Sequence, residues 1–150
     1  MLRYFRTPSM TPTRVAAVAA TAARVVGRPV GQVGTEYCFY IETAGAAAAE
    51  ALTAHDAAVL EYVLSETFEP EQFGPASFLE GRFATILEYG PRLNFETAWS
   101  SNAVEICHRS GARSVRRLER STRIGLDAVL SDAQIDEILA PLHDRMTEMR

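Results

Sequence analysis

Lysine is absent from this chain of 150 residues, so all 15 of its permanently basic side chains are arginines. That removes a phosphate-loop lysine, a Schiff-base lysine and a Ser-Lys dyad from the available chemistry. Cysteine is nearly absent as well. Cys38 and Cys107 stand far apart in apolar contexts and read as buried reduced thiols, not as a disulfide. The histidines His55, His108 and His143 form no H-x-x-x-H pair and no Cys/His spacing that suits zinc. No G-x-S-x-G elbow is present. No apolar run reaches the ~20 residues needed to cross a bilayer. The residues therefore assign no catalytic, metal-binding or cofactor-binding role within this chain, and no membrane contact.

What is present is an ordinary globular composition, 47% hydrophobic and 23% charged, and the length fits one domain over residues 1–150. The net charge of −4 argues against nucleic acid as an obligatory partner. Its distribution is uneven. Arg3, Arg6, Arg14, Arg24 and Arg28 precede the first acid, Glu36, and Arg109, Arg113, Arg116, Arg117, Arg120 and Arg123 surround the single Glu119. The arginine-bearing, alanine-rich opening imitates a signal or mitochondrial address. Thr11-Pro12 as a helix start and Gly27 as a helix stop favour a folded first helix and a cytoplasmic protein instead.

Periodicity predicts a short strand at Leu2–Phe5, a helix at Pro12–Val26, and a strand at Thr35–Ile41 with Tyr37, Phe39 and Ile41 on one face. A long helix is expected from Gly45 to about Leu64, then a loop from Ser65 to Gly81. Arg82–Tyr89 reads as a strand with Phe83, Leu87 and Tyr89 alternating, ended by Gly90-Pro91. The next helix opens within Trp99–Asn102, with Asn102 and Glu105 as a capping pair, and stops at Gly111. Val115–Leu126 is the last strand. Its alternation sets Arg116, Leu118, Arg120, Thr122 and Ile124 against Val115, Arg117, Glu119, Ser121 and Arg123. Ser131–Gln134 is a capping box, followed by Ile135, Ile138, Leu139, Leu142 and Met146 at helical spacing, with Pro141 set to kink or split that helix. No internal repeat is visible. Strand and helix alternate in a way that would fit α/β or α+β.

Two blocks stand out. Pro91 to Cys107 holds the only tryptophan, a strand exit stiffened by proline and a Ser/Asn stretch that opens a helix. Val115-Arg116-Arg117-Leu118-Glu119-Arg120 is the arginine strand. Arginine suits interface ion pairs and phosphate contacts, so a partner surface or a small phosphate- or RNA-binding module are both open at this point. The glycine-aromatic signature of an RNA-recognition sheet is missing.

Gly90-Pro91-Arg92-Leu93-Asn94-Phe95, Trp99-Ser100-Ser101-Asn102-Ala103, the arginine strand and Leu142-His143-Asp144-Arg145-Met146-Thr147-Glu148 occur in an order and spacing that resembles the N-terminal domain of phosphoribosylformylglycinamidine synthase. The likeness is to the large, single-chain form and extends upstream through the Glu36-Tyr37 strand. It implies an α+β fold of paired ferredoxin-like halves, with a mostly antiparallel sheet and helices on one face. It further implies a piece similar to the small structural subunit of the split enzyme, which helps join synthetase and glutaminase parts and guides ammonia between them. ATP and magnesium would belong to the synthetase domains, and the resemblance places a linker and that core after Arg150. Under it, Arg92, Trp99, Ser100, Ser101 and Asn102 would line an interdomain or channel surface. Arg117, Glu119 and Arg120 would make charged contacts across it, and His143, Asp144 and Arg145 would belong to the same surface.

Overall fold

The computed structural model describes residues 1–44, 53–65 and 70–150. In chain order its elements are β1 (Leu2–Arg6), α1 (Pro12–Val26), β2 (Val33–Thr43), α2 (Ala54–Ser65), β3 (Phe73–Gly74), β4 (Thr85–Pro91), α3 (Ala98–Arg109), β5 (Val115–Leu126), α4 (Asp132–Leu139) and β6 (Glu148–Met149). The six strands lie in the order β3-β1-β2-β5-β4-β6, and every pairing is antiparallel. This is an α+β fold. The strand-helix-strand unit β1-α1-β2 recurs as β4-α3-β5, and the two units join through the central β2/β5 pair. The repetition is one of topology and leaves the reading of a sequence without internal repeat unchanged.

The helices gather on one face of the sheet. Leu87, Tyr89, Ile124 and Leu126 pack with Val18 and Ala22 of α1 and with Ile138 and Leu139 of α4. Phe39, Ile41 and Leu118 pack with Val59, Leu60 and Leu64 of α2 and with Ala103 and Cys107 of α3. Local chemistry fixes the helix ends. Thr11 accepts the Arg14 N–H, Pro12 occupies the first turn, and Gly27 closes α1 at φ +83°. Ser131 and Gln134 complete the expected capping box.

Several expectations need correction. The cap of α3 is Thr97, whose side chain accepts from the Ser100 N–H, and Glu105 instead pairs with Arg109 one turn along at 2.6 Å. Strict alternation in β5 fails at its start. Glu42 faces Arg117 and Thr43 faces Val115, so Arg116 is the extra residue of a bulge. The bulge turns Val115 onto the helix-covered face beside Leu118, where both are fully buried. β4 begins at Thr85 and runs through Pro91, which pairs with Glu148 of β6. α4 stops at Leu139, and Met146 is exposed on the turn that leads to β6. The expected loop after Ser65 contains a 3-10 turn at Pro70–Gln72 and the short strand β3. The Gly45 end of the expected second helix lies outside the described residues.

The helix-free face of the sheet is covered only in part. Residues 77–83 fold over its end where Gly34 and Gly125 are register partners. The Phe83 ring fills the notch these glycines leave, so Phe83 belongs to this lid and not to the alternation of β4. A Cβ on Gly125 would stand 2.5 Å from Phe83 Cδ2, and one on Gly34 would stand 2.6 Å from Leu79 Cδ2. Gly125→Ala should therefore lower the unfolding free energy by ~1–3 kcal/mol in urea titration, as overpacking does. An unchanged midpoint would mean that the lid is not seated as described.

Candidate functional site

The β4/β5 ladder ends at Tyr89, paired with Thr122; Gly90 still lies against Ser121, and the two strands part after it. Gly90 and Pro91 take β6 as their partner, at Met149 and Glu148. Proline has no N–H to offer a ladder, which suits the residue that changes partner. The split leaves Glu119 and Arg120 of β5 facing the connection from Arg92 to Thr97. A cavity of about 410 Å³ lies on one side, and a second of about 470 Å³ on the other. Tyr89, Pro91, Glu119 and Arg120 line both.

The first cavity opens on the helix-free face. Met1, Leu93 and Met149 form an apolar rim above Tyr40, Glu42, Glu88, Arg117 and Ser121. Glu88 accepts hydrogen bonds from the hydroxyls of Tyr40 and Ser121. Burial, together with the bond to Glu88, holds the Tyr40 hydroxyl well above the usual tyrosine range.

The second cavity lies on the helix side. It is lined by Arg14, Tyr37, Trp99, Thr97, Thr122, Asp144 and Glu148 among others. Arg120 stands between aromatic rings, with its guanidinium carbon 4.6 Å from the Tyr37 centroid and 4.7 Å from that of Trp99. Trp99 in turn stacks on Phe39 with centroids 6.0 Å apart. Each such cation–π contact contributes roughly 0.5–2 kcal/mol. Thr97, besides capping α3, donates its hydroxyl to Glu119 Oε2 at 3.3 Å.

The sequence-expected surface residues fall into three groups. Trp99, Glu119, Arg120 and Asp144 meet in the second cavity, and Arg117 lines the first. Arg92 bonds the Arg145 carbonyl, tying the split to the turn before β6. His143 packs against Tyr89 and its Nδ1 lies 2.7 Å from the Leu139 carbonyl. Ser101 and Asn102 lie exposed on α3, whereas Ser100 is fully buried. Sequence reasoning missed Arg14, Tyr37 and Tyr89, which come from other elements. It also missed Leu93 and Phe95 as apolar side chains standing in solvent; their placement in a loop otherwise rich in Asn, Pro and charge was the available signal.

The arginine strand is not a basic surface. Arg117 lies 3.6 Å from Glu119 and donates to the Phe95 carbonyl, Arg120 is stacked, and Arg123 is buried against carboxylates. Arg116 is exposed at the bulge.

The sequence model for the N-terminal region of formylglycinamide ribonucleotide amidotransferase matches residues 36–150. The chain belongs to this family. A probable phosphoribosylformylglycinamidine synthase of Arabidopsis thaliana, named as chloroplastic/mitochondrial, is 39% identical over 99% of the chain. A phosphoribosylformylglycinamidine synthase of Dictyostelium discoideum is 34% identical over 97% of it. The human enzyme of that name is 46% identical over 47%. The chain spans about 11% of the length of the Arabidopsis and Dictyostelium relatives. Both blocks singled out in the sequence, Pro91–Cys107 and the arginine strand, fall inside the region that the family model covers.

The helix-free face also holds Cys38, opposite Ser121 in the ladder. Cys38 and Cys107 are both free and buried. Burial pushes the Cys38 thiol from 9.0 to about 11, against a lowering hydrogen bond with Tyr40, and burial raises Cys107 as well. At pH 8 about one Cys38 in a thousand is thiolate, so the native chain should not react with a thiol reagent that labels both cysteines in guanidinium. Between pH 9 and about 11 the unfolded chain gives up the Cys38 proton more readily, so this thiol lowers stability as pH rises through that window. Rapid labelling of the native chain at pH 8 would contradict this burial.

Proposed function

We propose that this domain is a non-catalytic assembly part of a phosphoribosylformylglycinamidine synthase, which in purine biosynthesis converts formylglycinamide ribonucleotide to its amidine with ATP and ammonia from glutamine. On this reading it joins the synthetase and glutaminase parts and helps guide ammonia between them. ATP and magnesium are held by the synthetase part. The arginine-bearing opening is spent on β1 and α1, with Phe5, Val18 and Ala22 in the core. That supports a structural use of the segment.

The split sheet is the observation that carries the proposal. Two cavities meet there across shared residues; Leu93, 78% exposed, lines the first, and Phe95, 37% exposed, stands two residues further along the same connection. An exposed apolar pair beside a concave surface suits contact with another domain. Engagement of Arg117, Arg120 and Arg123 inside the domain weighs against an RNA- or phosphate-binding module built on the arginine strand.

Leu93→Ser with Phe95→Ser in the chain combined with its synthetase and glutaminase parts should weaken assembly by ~10–100-fold in Kd. The unfolding midpoint of the domain should be unchanged. Amidation driven by glutamine should fall, while amidation driven by added ammonium at saturating parts should persist. Undiminished assembly would refute the surface, and equal loss with ammonium would refute the coupling role. Trp99→Ala is a poorer probe, because Trp99 also packs on Phe39.

A further inference from the structure

The geometry points to the helix-side cavity as a binding site for a free α-amino acid, a ligand that carries a carboxylate and an ammonium group together. Its volume, about 470 Å³, lies in the range of small-molecule sites. The charged groups that line it are Arg14 and Arg120 on one hand and Glu119, Asp144 and Glu148 on the other. They come from α1, β5, the α4–β6 connection and β6 itself, so the fold gathers both signs from separate elements around one space.

Arg120 is the anchor. Its planar group is held by Tyr37 and Trp99, which occupy ring faces and leave its in-plane N–H donors for a carboxylate. Among the described residues neither Arg120 nor Arg14 makes a side-chain ion pair with a carboxylate, although three carboxylates line the same cavity. Arg14 is exposed on the first turn of α1 and acts on the Tyr89 hydroxyl electrostatically, which places it at the mouth. Opposite them, Glu119 Oε1 is turned to Arg117 at 3.6 Å, and Asp144 and Glu148 each accept one backbone N–H. A carboxylate offers about four acceptor sites, so each retains capacity for an ammonium.

The charge balance selects the ligand. Arg117 offsets Glu119 from 3.6 Å away, so the lining balances Arg14 and Arg120 against Asp144 and Glu148 and offers a polyanion no net attraction. Two guanidinium groups at the same cavity disfavour a simple amine. A zwitterion satisfies both signs. Tyr89, Pro91 and Leu142 then supply apolar wall for the side chain.

The test is calorimetric titration of the chain with each of the twenty L-amino acids, with inorganic phosphate, and with the α-amide and N-acetyl forms of any amino acid that binds. Saturable binding by at least one free amino acid is expected, weakened tenfold or more in both its amide and its N-acetyl form. Arg120→Gln should weaken it tenfold or more. Because that change also removes ring contacts, Arg14→Ala and Asp144→Asn serve as variants at exposed positions, each expected to weaken binding with the urea midpoint unchanged. Binding of phosphate or of the N-acetyl form as tight as that of the free amino acid would overturn the proposal in favour of a simple anion site. Absence of binding by every amino acid would overturn it outright.

Discussion

The buried pair of Glu36 and Arg123 is the constraint on which the rest of the sheet depends. The two residues face each other in the central β2/β5 ladder, on the helix-free face, at the joint between the two strand-helix-strand units. Glu36 is fully buried and accepts from Arg123 at 2.8 Å, from the Ser77 hydroxyl at 2.7 Å and from the Phe78 N–H at 2.8 Å. Arg123 also donates to Glu80 at 2.9 Å and covers the Phe5 ring. Burial works against the guanidinium charge, yet the bond to Glu80 and the charges of Glu36 and Glu88 hold its pKa above the ordinary arginine value. Taking two charges out of water is costly unless their remaining lone pairs and protons are satisfied, and here loop 77–80 does most of that. One interaction therefore sets the register of the units, seats the lid and links β4 through Glu88.

Register at this point determines geometry at the other end of the same strands. With Glu36 opposite Arg123, Tyr37 lies beside Thr122 and Phe39 beside Arg120. That lets Arg120 reach the rings of Tyr37 and Trp99, and it leaves Glu119 at the edge where β4 departs. A slip of one residue would exchange the two faces of β5, set Thr122 or Ile124 opposite Glu36 and turn Arg120 to the helix-free face. The bulge at Arg116 confines the one irregularity to the strand's beginning, so the core gains Val115 without disturbing this register.

Much of this was legible in the chain. Thr11-Pro12 and Gly27 bounded α1, Ser131–Gln134 opened α4, and the alternation of Tyr37, Phe39 and Ile41 gave the core face of β2. The Pro91–Cys107 block and the arginine strand do meet at the split. What could not be read is pairing at a distance. Glu36 and Arg123 look like two ordinary charged residues until the ladder sets them opposite each other under Ser77. Pro91 looks like a strand terminator, because its pairing with Glu148 needs the chain to return from α4. Thr97 prevailed over Asn102 as the cap of α3 because the helix begins a turn earlier than its Ser/Asn stretch suggests. Arginines that read as a surface are mostly spent on carboxylates and aromatic rings.

A double-mutant cycle at the central pair tests this account most directly, with Glu36→Gln, Arg123→Met and their combination compared by urea unfolding. Each single change leaves a buried partner unsatisfied and should cost ~3–5 kcal/mol. The combination should cost clearly less than the sum, with a coupling of at least ~2 kcal/mol. Losses that simply add, or single changes that cost nothing, would contradict the claim that this pair holds the two units in register.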